Sequence, residues 1–356
     1  MAGLAIMIGK RYIGYMDLYR EKVRALIAHV PGIDVEQAIG DIILPSLPHE
    51  TPDRVTRGEF AVAMTAALHW GLLARVPTAA AYAGDCRAAG RRILLDHGAL
   101  RTIALPDGAP TGAIPGGVAA FARILEPLGY RVADTYPLER LRMTGFAFCQ
   151  QDAPDAIAQF FVSELHVDRF DDNFARAAAH VFGTTRDPID DAARTVLSAF
   201  SAGESVTVAQ AQAAMPAIVA AFDRHHDVPT LDDYAVLKAA SAEAAWIATE
   251  GNAFNHGTDR VEDVVVTADA QRALGRAMKD RVEVSGSGRV RQTAYHADRV
   301  ERDFVDADGA AVRMIVPGSF YEFISRDADP ATGLLDLKFD SGNAQGIFKM
   351  TAALDA

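Results

Sequence analysis

Apolar residues near the start of the chain follow the spacing of amphipathic helices. Residues 12–30, 35–44 and 57–75 carry them at steps of three and four, which is the period of one helix face. Between the first two stretches a Pro-Gly pair interrupts the pattern, as expected where a helix ends. The sequence therefore predicts a helical N-terminal region over residues 1–90.

The pattern changes at about residue 91 to short segments typical of a sheet with a helix on it. Residues 93–105 are rich in Ile, Leu and Thr, and 131–136 alternate between apolar and polar positions, as strands do. Residues 118–128 fit a helix and 144–150 a further strand. We therefore expect a first α/β unit, in the order strand, helix, strand, strand, over 91–150.

The middle of the chain is predicted to be a helical block over residues 151–250. Its expected helices are 155–168, 171–181, 189–200, 208–224 and 231–249.

The last part of the chain returns to strand-like patterns and is predicted to form a second α/β unit over 251–356. Its expected strands are 253–267, 289–297, 299–305, 310–316 and 319–326, with a helix over 268–279. Two similar mixed units around a helical block indicate a duplicated sheet with a site between the copies. We expect one composite domain over residues 1–356, of the α+β class.

Composition and charge exclude several classes of protein. The 356 residues are 50% hydrophobic and 23% charged, as in ordinary globular proteins. The formal net charge of −12 argues against duplex binding, which depends on cationic side chains, and against a polybasic membrane anchor. The two cysteines, Cys86 and Cys149, form no zinc spacing or disulfide framework. We expect a cytoplasmic protein without nucleic-acid or membrane partners; its oligomeric state cannot be predicted from these features.

Three segments place a potential metal ligand four residues before an arginine. The pairs are His97 and Arg101, His256 and Arg260, and Glu322 and Arg326. This spacing brings both side chains to one face of a strand or of a helix. Two histidines and a carboxylate are the ligands of non-haem Fe(II) oxygenases, and a nearby arginine can bind a substrate carboxylate. Ten histidines allow many such triples, so spacing alone leaves purely structural roles open.

Four motifs follow one another along the chain: DHGALR at 96–101, NHGTDR at 255–260, VRQTAY at 290–295 and FYE at 320–322. Together they resemble the motifs of the 2-oxoadipate dioxygenase/decarboxylase family, also called hydroxyglutarate synthases. The resemblance implies a divergent vicinal-oxygen-chelate fold. Two strand–helix–strand units would then form a mixed sheet around one metal site, with a large helical insertion and N-terminal helices.

The resemblance also assigns roles to individual residues. It implies that His97, His256 and Glu322 bind the metal, and that Arg101 binds a carboxylate of the substrate. The expected catalytic residues are Arg101, Arg291 and Gln292. The expected substrate-binding residues are Arg101, Arg260, Arg291, Thr293, Tyr295 and Arg326. The implied reaction uses Fe(II) and O2 to decarboxylate and hydroxylate a 2-oxo acid such as 2-oxoadipate, releasing CO2 and a 2-hydroxy acid one carbon shorter.

Two departures from the family pattern leave the substrate open. Tyr321 stands where the family has glycine, and Asp259 where it has proline. Separately, an isomerase, a lyase or a ring-cleaving dioxygenase on the same scaffold, acting on a small carboxylate, is an alternative. Such enzymes could use another divalent metal, because the ligand set does not dictate the metal. A binding protein that has kept the fold without catalysis is a further alternative.

Overall fold

The computed structural model describes residues 18–45, 47 and 51–340. Its first helices are α1 (18–27), α2 (Val35–Gly40), α3 (Arg57–Arg75) and α4 (Pro77–Ala88). Helix α3 begins at a capping box, in which Thr56 and Glu59 bind each other's backbone N–H, a strong start signal. The prediction of a helix over 57–75 is confirmed. The predicted helix 12–30 is present over 18–27, and its residues 12–17 lie outside the described residues.

A mixed sheet of eight strands forms the centre of the described chain. Its strands are β2 (Leu95–Ala104), β3 (Tyr130–Leu138), β4 (Met143–Gln150), β5 (Gln159–His166), β7 (His256–Arg260), β8 (Glu283–Val284), β9 (Val290–Ala294) and β12 (Phe320–Arg326). Their order across the sheet is β3-β4-β5-β2-β7-β12-β9-β8. Short strands β1 (Arg54–Val55) and β6 (Val206–Thr207) pair separately.

The two halves of the sheet repeat one plan. The first half is β2, helix α5 (Ala119–Leu125), then β3, β4 and β5; the second is β7, helix α11 (Val264–Ala273), then β8, β9 and β12. In both halves the last strand pairs in parallel with the first. Antiparallel pairing of β2 with β7 joins the halves. A hairpin of β10 (Arg299–Val305) and β11 (Ala311–Pro317) is inserted before β12. The expected α+β fold with a duplicated unit is confirmed; the proposed domain limits stay a prediction.

Helices cover both faces of this sheet. Helices α3, α4 and α11 contact one face, which is called the back face below, and α10 (Ala242–Glu250) packs against β2. The helical block also contains α6 (Asp172–Phe182), α7 (Asp191–Ser201), α8 (Val208–Ala220) and α9 (Leu231–Ala240). No single helix of the described chain is long and apolar enough to cross a membrane. Helices α3 and α4 taken together are long and apolar enough, but the pair is bent by 115°.

Three of the predicted elements are wrong. Residues 155–168 contain strand β5 instead of a helix, because Phe160 and Val162 pack on the back face while the intervening residues are also buried; a strand buried on both faces loses its alternation. Residues 264–266 begin helix α11 and do not continue a strand, since the Asp263 side chain accepts from two backbone N–H groups there. The predicted helix 231–249 is two helices, separated at Ser241.

Gly98 allows a close contact on the back face of the sheet. A Cβ atom at this position would collide with the ring of Phe254. We expect Gly98→Ala to lower the free energy of unfolding by about 1–3 kcal/mol, the usual effect of overpacking. Urea denaturation measures this change. Gly71→Ala in α3 is the control, since its Cβ would meet open space and alanine suits a helix better than glycine; an equal loss in both variants would contradict the explanation.

His226 gives the fold a dependence on pH. The imidazole is buried and its Nε2 is 2.9 Å from the Ala248 carbonyl oxygen. Burial lowers the pKa of His226 from 6.5 to about 4, so the unfolded chain binds a proton more readily than the folded one. We expect this residue to reduce stability by about 1.4 kcal/mol per pH unit as the pH falls from 6.5 towards 4. His226→Gln should show a shallower slope in denaturation measured across this range, and an unchanged slope would refute the assignment.

Candidate metal centre

Three adjacent strands bring the predicted ligands together. His97 on β2 pairs with Thr258 on β7, which in turn pairs with Glu322 on β12, so the three lie in one row across the sheet. His256 is two residues before Thr258 and shares its face, because side chains alternate along a strand. One potential ligand atom each from His97, His256 and Glu322 lies within 4.8 Å of the other two, and all three residues are buried.

The carboxylate of Glu322 lies at the centre of this group. Its Oε2 is 3.2 Å from His97 Nε2 and 3.3 Å from His256 Nε2, and it accepts a hydrogen bond of 2.9 Å from the Thr258 hydroxyl. Its Oε1 is buried and has no hydrogen-bond partner among the described residues. A buried carboxylate oxygen without a partner is costly, and a cation bound there would satisfy it.

Each histidine is held by the residue before it. His97 Nδ1 donates to Asp96 Oδ1 at 2.8 Å, and His256 Nδ1 donates to the amide oxygen of Asn255 at 3.2 Å. Asp96 reaches its neighbour because the pairing of β2 with β7 shifts register between residues 95 and 97, as at a bulge. Both Nε2 atoms are therefore left as potential ligands. Outer hydrogen bonds of this kind orient metal-binding histidines in proteins.

The charges around the centre agree with this arrangement. Burial opposes ionisation of Glu322, but the two imidazoles lower the pKa of its carboxyl well below the ordinary value. Burial lowers the pKa of His256. Burial also opposes protonation of His97, but Asp96 and Glu322 outweigh it and raise the pKa of that imidazole. A carboxylate with two imidazoles is a donor set that fits a divalent transition metal.

A pocket opens beside these residues. Its lining includes the two histidines and three residues that the sequence analysis missed, Phe161, Ser163 and Phe339. Phe161 and Ser163 were missed because 155–168 was predicted as a helix. Phe339 follows the last strand in a stretch without a periodic pattern.

Arg101 lines the same pocket, four residues along β2 from His97. It is 1% exposed, and its guanidinium lies 5.1 Å from the centre of the Trp246 ring. Burial lowers the pKa of Arg101 to about 10, opposed by the charge of Glu243. The side chain is therefore a cation at neutral pH that lines the pocket.

Two predicted substrate-binding arginines contact a protein carboxylate. Arg326 binds Asp96 through Nε and Nη2, and Arg260 Nε donates to Asp96 at 2.7 Å. Burial opposes ionisation of Asp96, but these guanidinium groups and His97 hold its pKa well below the ordinary value. Direct substrate contact by Arg260 and Arg326 is therefore not supported, because Asp96 already occupies both. Asp96 could have been suspected from its place directly before His97.

The motif around β9 divides between the two faces of the sheet. Gln292 lines the pocket. Thr293 pairs with Phe323, and the Tyr295 ring packs against Phe323 on the back face. Arg291 forms an ion pair of 2.7 Å with Asp327 and is partly exposed. Alternation along the strand explains the division. Gln292 reaches the pocket, whereas Arg291, Thr293 and Tyr295 lie on the other side of the sheet. This placement does not agree with the expectation that these three residues contact the substrate.

Known structures share this fold. A glyoxalase superfamily protein from Ralstonia eutropha is 48% identical, covering 90% of this chain and 99% of its own, with a TM-score of 0.85. The hydroxyglutarate synthase from Oryza sativa, solved with 2-oxoadipate, is 21% identical over 87% of this chain and 98% of its own, with a TM-score of 0.63. The hydroxyglutarate synthase from Pseudomonas putida is 18% identical over 85% and 75%, with a TM-score of 0.54.

A search of curated proteins gave no significant match. The family model for 2-oxoadipate dioxygenase/decarboxylase matches residues 73–330, a span that contains all three potential metal ligands and Arg101. The chain therefore belongs to the 2-oxoadipate dioxygenase/decarboxylase family.

Proposed function

We propose that this protein is a non-haem Fe(II) dioxygenase acting on a 2-oxo dicarboxylic acid such as 2-oxoadipate. The reaction consumes one O2 and releases one CO2, and the product is a 2-hydroxy acid one carbon shorter. The observation that carries the proposal is the buried group of His97, His256 and Glu322, two of which line a pocket together with the buried Arg101. The family to which the chain belongs supports the same reaction.

His97, His256 and Glu322 would hold the metal. Bound there, Fe(II) supplies Lewis acidity towards a chelating 2-oxo acid and the capacity to reduce dioxygen. The protein's part is to aim the Nε2 atoms of both histidines at one point. Asp96 and Asn255 do this by accepting from the two Nδ1 atoms.

Arg101 would bind the carboxylate at the far end of the substrate. It lies four positions after His97, which corresponds to about 13 Å along β2, and both side chains line the pocket. Ala99, between them on the same face, leaves room for an aliphatic chain. A dicarboxylate can then reach the metal with its 2-oxo acid end and Arg101 with the other. A guanidinium is suited to two parallel hydrogen bonds with a carboxylate.

The remaining lining residues would exclude water and orient the substrate. Phe161 and Phe339 provide apolar walls, and their rings lie 4.9 Å apart. Ser163 pairs with Arg101 across β5 and β2 and lines the pocket beside it. Gln292 provides a polar group on another strand. Exclusion of water strengthens each of the charged interactions in the pocket.

Dioxygen uptake and CO2 release by anaerobically purified, Fe(II)-loaded protein test this proposal. We expect equal amounts of both with 2-oxoadipate, and neither with a His97→Ala variant. Related 2-oxo acids of other lengths would then rank the substrates. A protein that binds the metal but consumes no dioxygen with any of them would contradict the proposal and favour non-oxidative chemistry, such as isomerisation.

A further inference from the structure

One buried guanidinium connects the metal centre to the segment that follows the last strand. Residues 327–340, called the strap below, run from the end of β12 to the pocket, where Phe339 and Asp340 form part of the lining. The side chains of Arg326 and Asp96 are both 0% exposed. A buried ion pair of this kind needs several hydrogen bonds to offset its desolvation. Here Arg326 donates to the Asp96 carboxylate and to two backbone oxygens of the strap.

On one side, Arg326 holds the carboxylate that orients His97. Its Nε lies 2.9 Å from Asp96 Oδ2, and its Nη2 lies 2.9 Å from Asp96 Oδ1. The same Oδ1 accepts from His97 Nδ1 at 2.8 Å. With two anchored oxygens the carboxylate cannot rotate freely, so the direction of the His97 ring is fixed through it.

On the other side, Arg326 holds the strap. Its Nη1 donates to the backbone oxygens of Asp336 at 2.8 Å and Lys338 at 2.9 Å. Directly after Lys338, the Phe339 ring lies edge-on to His97 with centroids 4.8 Å apart, and it also lies 5.3 Å from the Arg326 guanidinium. The position of Phe339 over the metal-binding face therefore depends on the same side chain as the orientation of His97.

We propose that Arg326 and Asp96 are positioning residues that hold His97 in its metal-binding orientation and fasten the strap over the same pocket. The inference deepens the proposed function, because it rests on His97 being a metal ligand. It assigns Arg326 a role through Asp96 and the backbone, instead of a contact with substrate. Loss of a hydrogen-bond partner behind a metal-binding histidine usually weakens metal binding by about 10- to 100-fold.

The strap has other attachments that allow the two roles to be separated. Arg289 Nε donates to the Asp336 carboxylate at 2.9 Å, and the Phe339 N–H donates to the Tyr136 hydroxyl at 3.0 Å. Neither contact involves Asp96. Arg289→Gln is therefore a matched control: it removes a guanidinium that holds the strap, without changing the support of His97.

The test uses full-length protein and Co(II), whose visible absorption reports the geometry of its ligands. We expect Arg326→Gln and Asp96→Asn to bind Co(II) about 10- to 100-fold more weakly and to change its absorption spectrum. Amide hydrogen exchange in the strap should become faster in Arg326→Gln and in Arg289→Gln. Only the first of these two should lose affinity for the metal.

Arg326→Lys is a conservative variant for the case in which Arg326→Gln fails to fold. It keeps the charge but loses the planar fork, and we expect affinity and strap protection between those of the parent protein and Arg326→Gln. Parent-like Co(II) affinity and spectrum in Arg326→Lys and Asp96→Asn would overturn the inference. A parent protein that binds metal but consumes no dioxygen would overturn the proposed function and leave this inference standing, whereas no metal binding by the parent would overturn both.

Discussion

Glu322→Gln is expected to abolish tight metal binding. The substitution keeps the size of the side chain but removes the charge that faces both His97 Nε2 and His256 Nε2. Losing a residue behind a ligand costs about 10- to 100-fold in affinity, so loss of the ligand itself should cost at least about 100-fold. The rate of product formation should fall to the rate that free Fe(II) gives without protein. Metal titration, followed by an assay at saturating 2-oxo acid, measures both effects.

Glu301→Gln is the matched control for this prediction. Glu301 lies on the exposed hairpin β10–β11 and pairs with Arg313, so the same chemical change there should leave metal affinity unchanged. A thermal melt of each variant separates loss of the ligand from loss of the fold. Parent-like affinity of folded Glu322→Gln would mean that the metal is not held at this centre.

Arg101→Gln is expected to discriminate against dicarboxylates. A hydrogen bond to a charged group contributes about 1.5–3 kcal/mol, which corresponds to a loss of roughly 10- to 150-fold in kcat/KM for 2-oxoadipate. A monocarboxylate of the same length, 2-oxohexanoate, has no distal carboxylate for Arg101 to bind. We therefore expect its kcat/KM to be nearly the same in the variant and the parent. Steady-state kinetics with both substrates measures the difference.

Two features keep the Arg101 prediction specific. Metal affinity of Arg101→Gln should stay close to that of the parent, because Arg101 is four residues from the ligand His97 and contacts Trp246 instead. The monocarboxylate serves as an internal control for damage to the pocket, including the effect of leaving Glu243 without its neighbouring cation. Equal losses with both substrates would show that Arg101 supports the pocket in general and does not recognise the distal carboxylate.

Much of the centre could be predicted because its residues follow strong local rules. The i and i+4 spacing of each ligand and its arginine correctly placed both on one face. The duplicated order of strands and helices correctly predicted that the segments containing His97 and His256 would meet. Spacing fixes a face, however, and not a partner. Arg260 and Arg326 share the face of the ligands, but Asp96, displaced by a register shift in β2, binds both of them.

The parts that could not be predicted lack a local signal. Strand β5 is buried on both faces, so its sequence does not alternate between apolar and polar residues. Because the strand was not predicted, its pocket residues Phe161 and Ser163 were missed. Phe339 reaches the pocket through a segment whose hydrogen bonds go to distant residues, such as Tyr136 and Arg326. These long-range contacts depend on the completed sheet. The sequence does not indicate a role for residues 340–356, and all of these except Asp340 lie outside the described residues.

Isotopically labelled dioxygen tests the central claim most directly. The proposed reaction breaks the bond between the carboxylate carbon and the keto carbon of the substrate, and it places both atoms of O2 in the 2-hydroxy acid. Mass spectrometry of the product from Fe(II)-loaded protein and 2-oxoadipate should find one labelled atom in the new carboxylate and one in the hydroxyl group. Glu322→Gln should give no labelled product. A product of the folded, metal-loaded parent that carries no label would contradict the account.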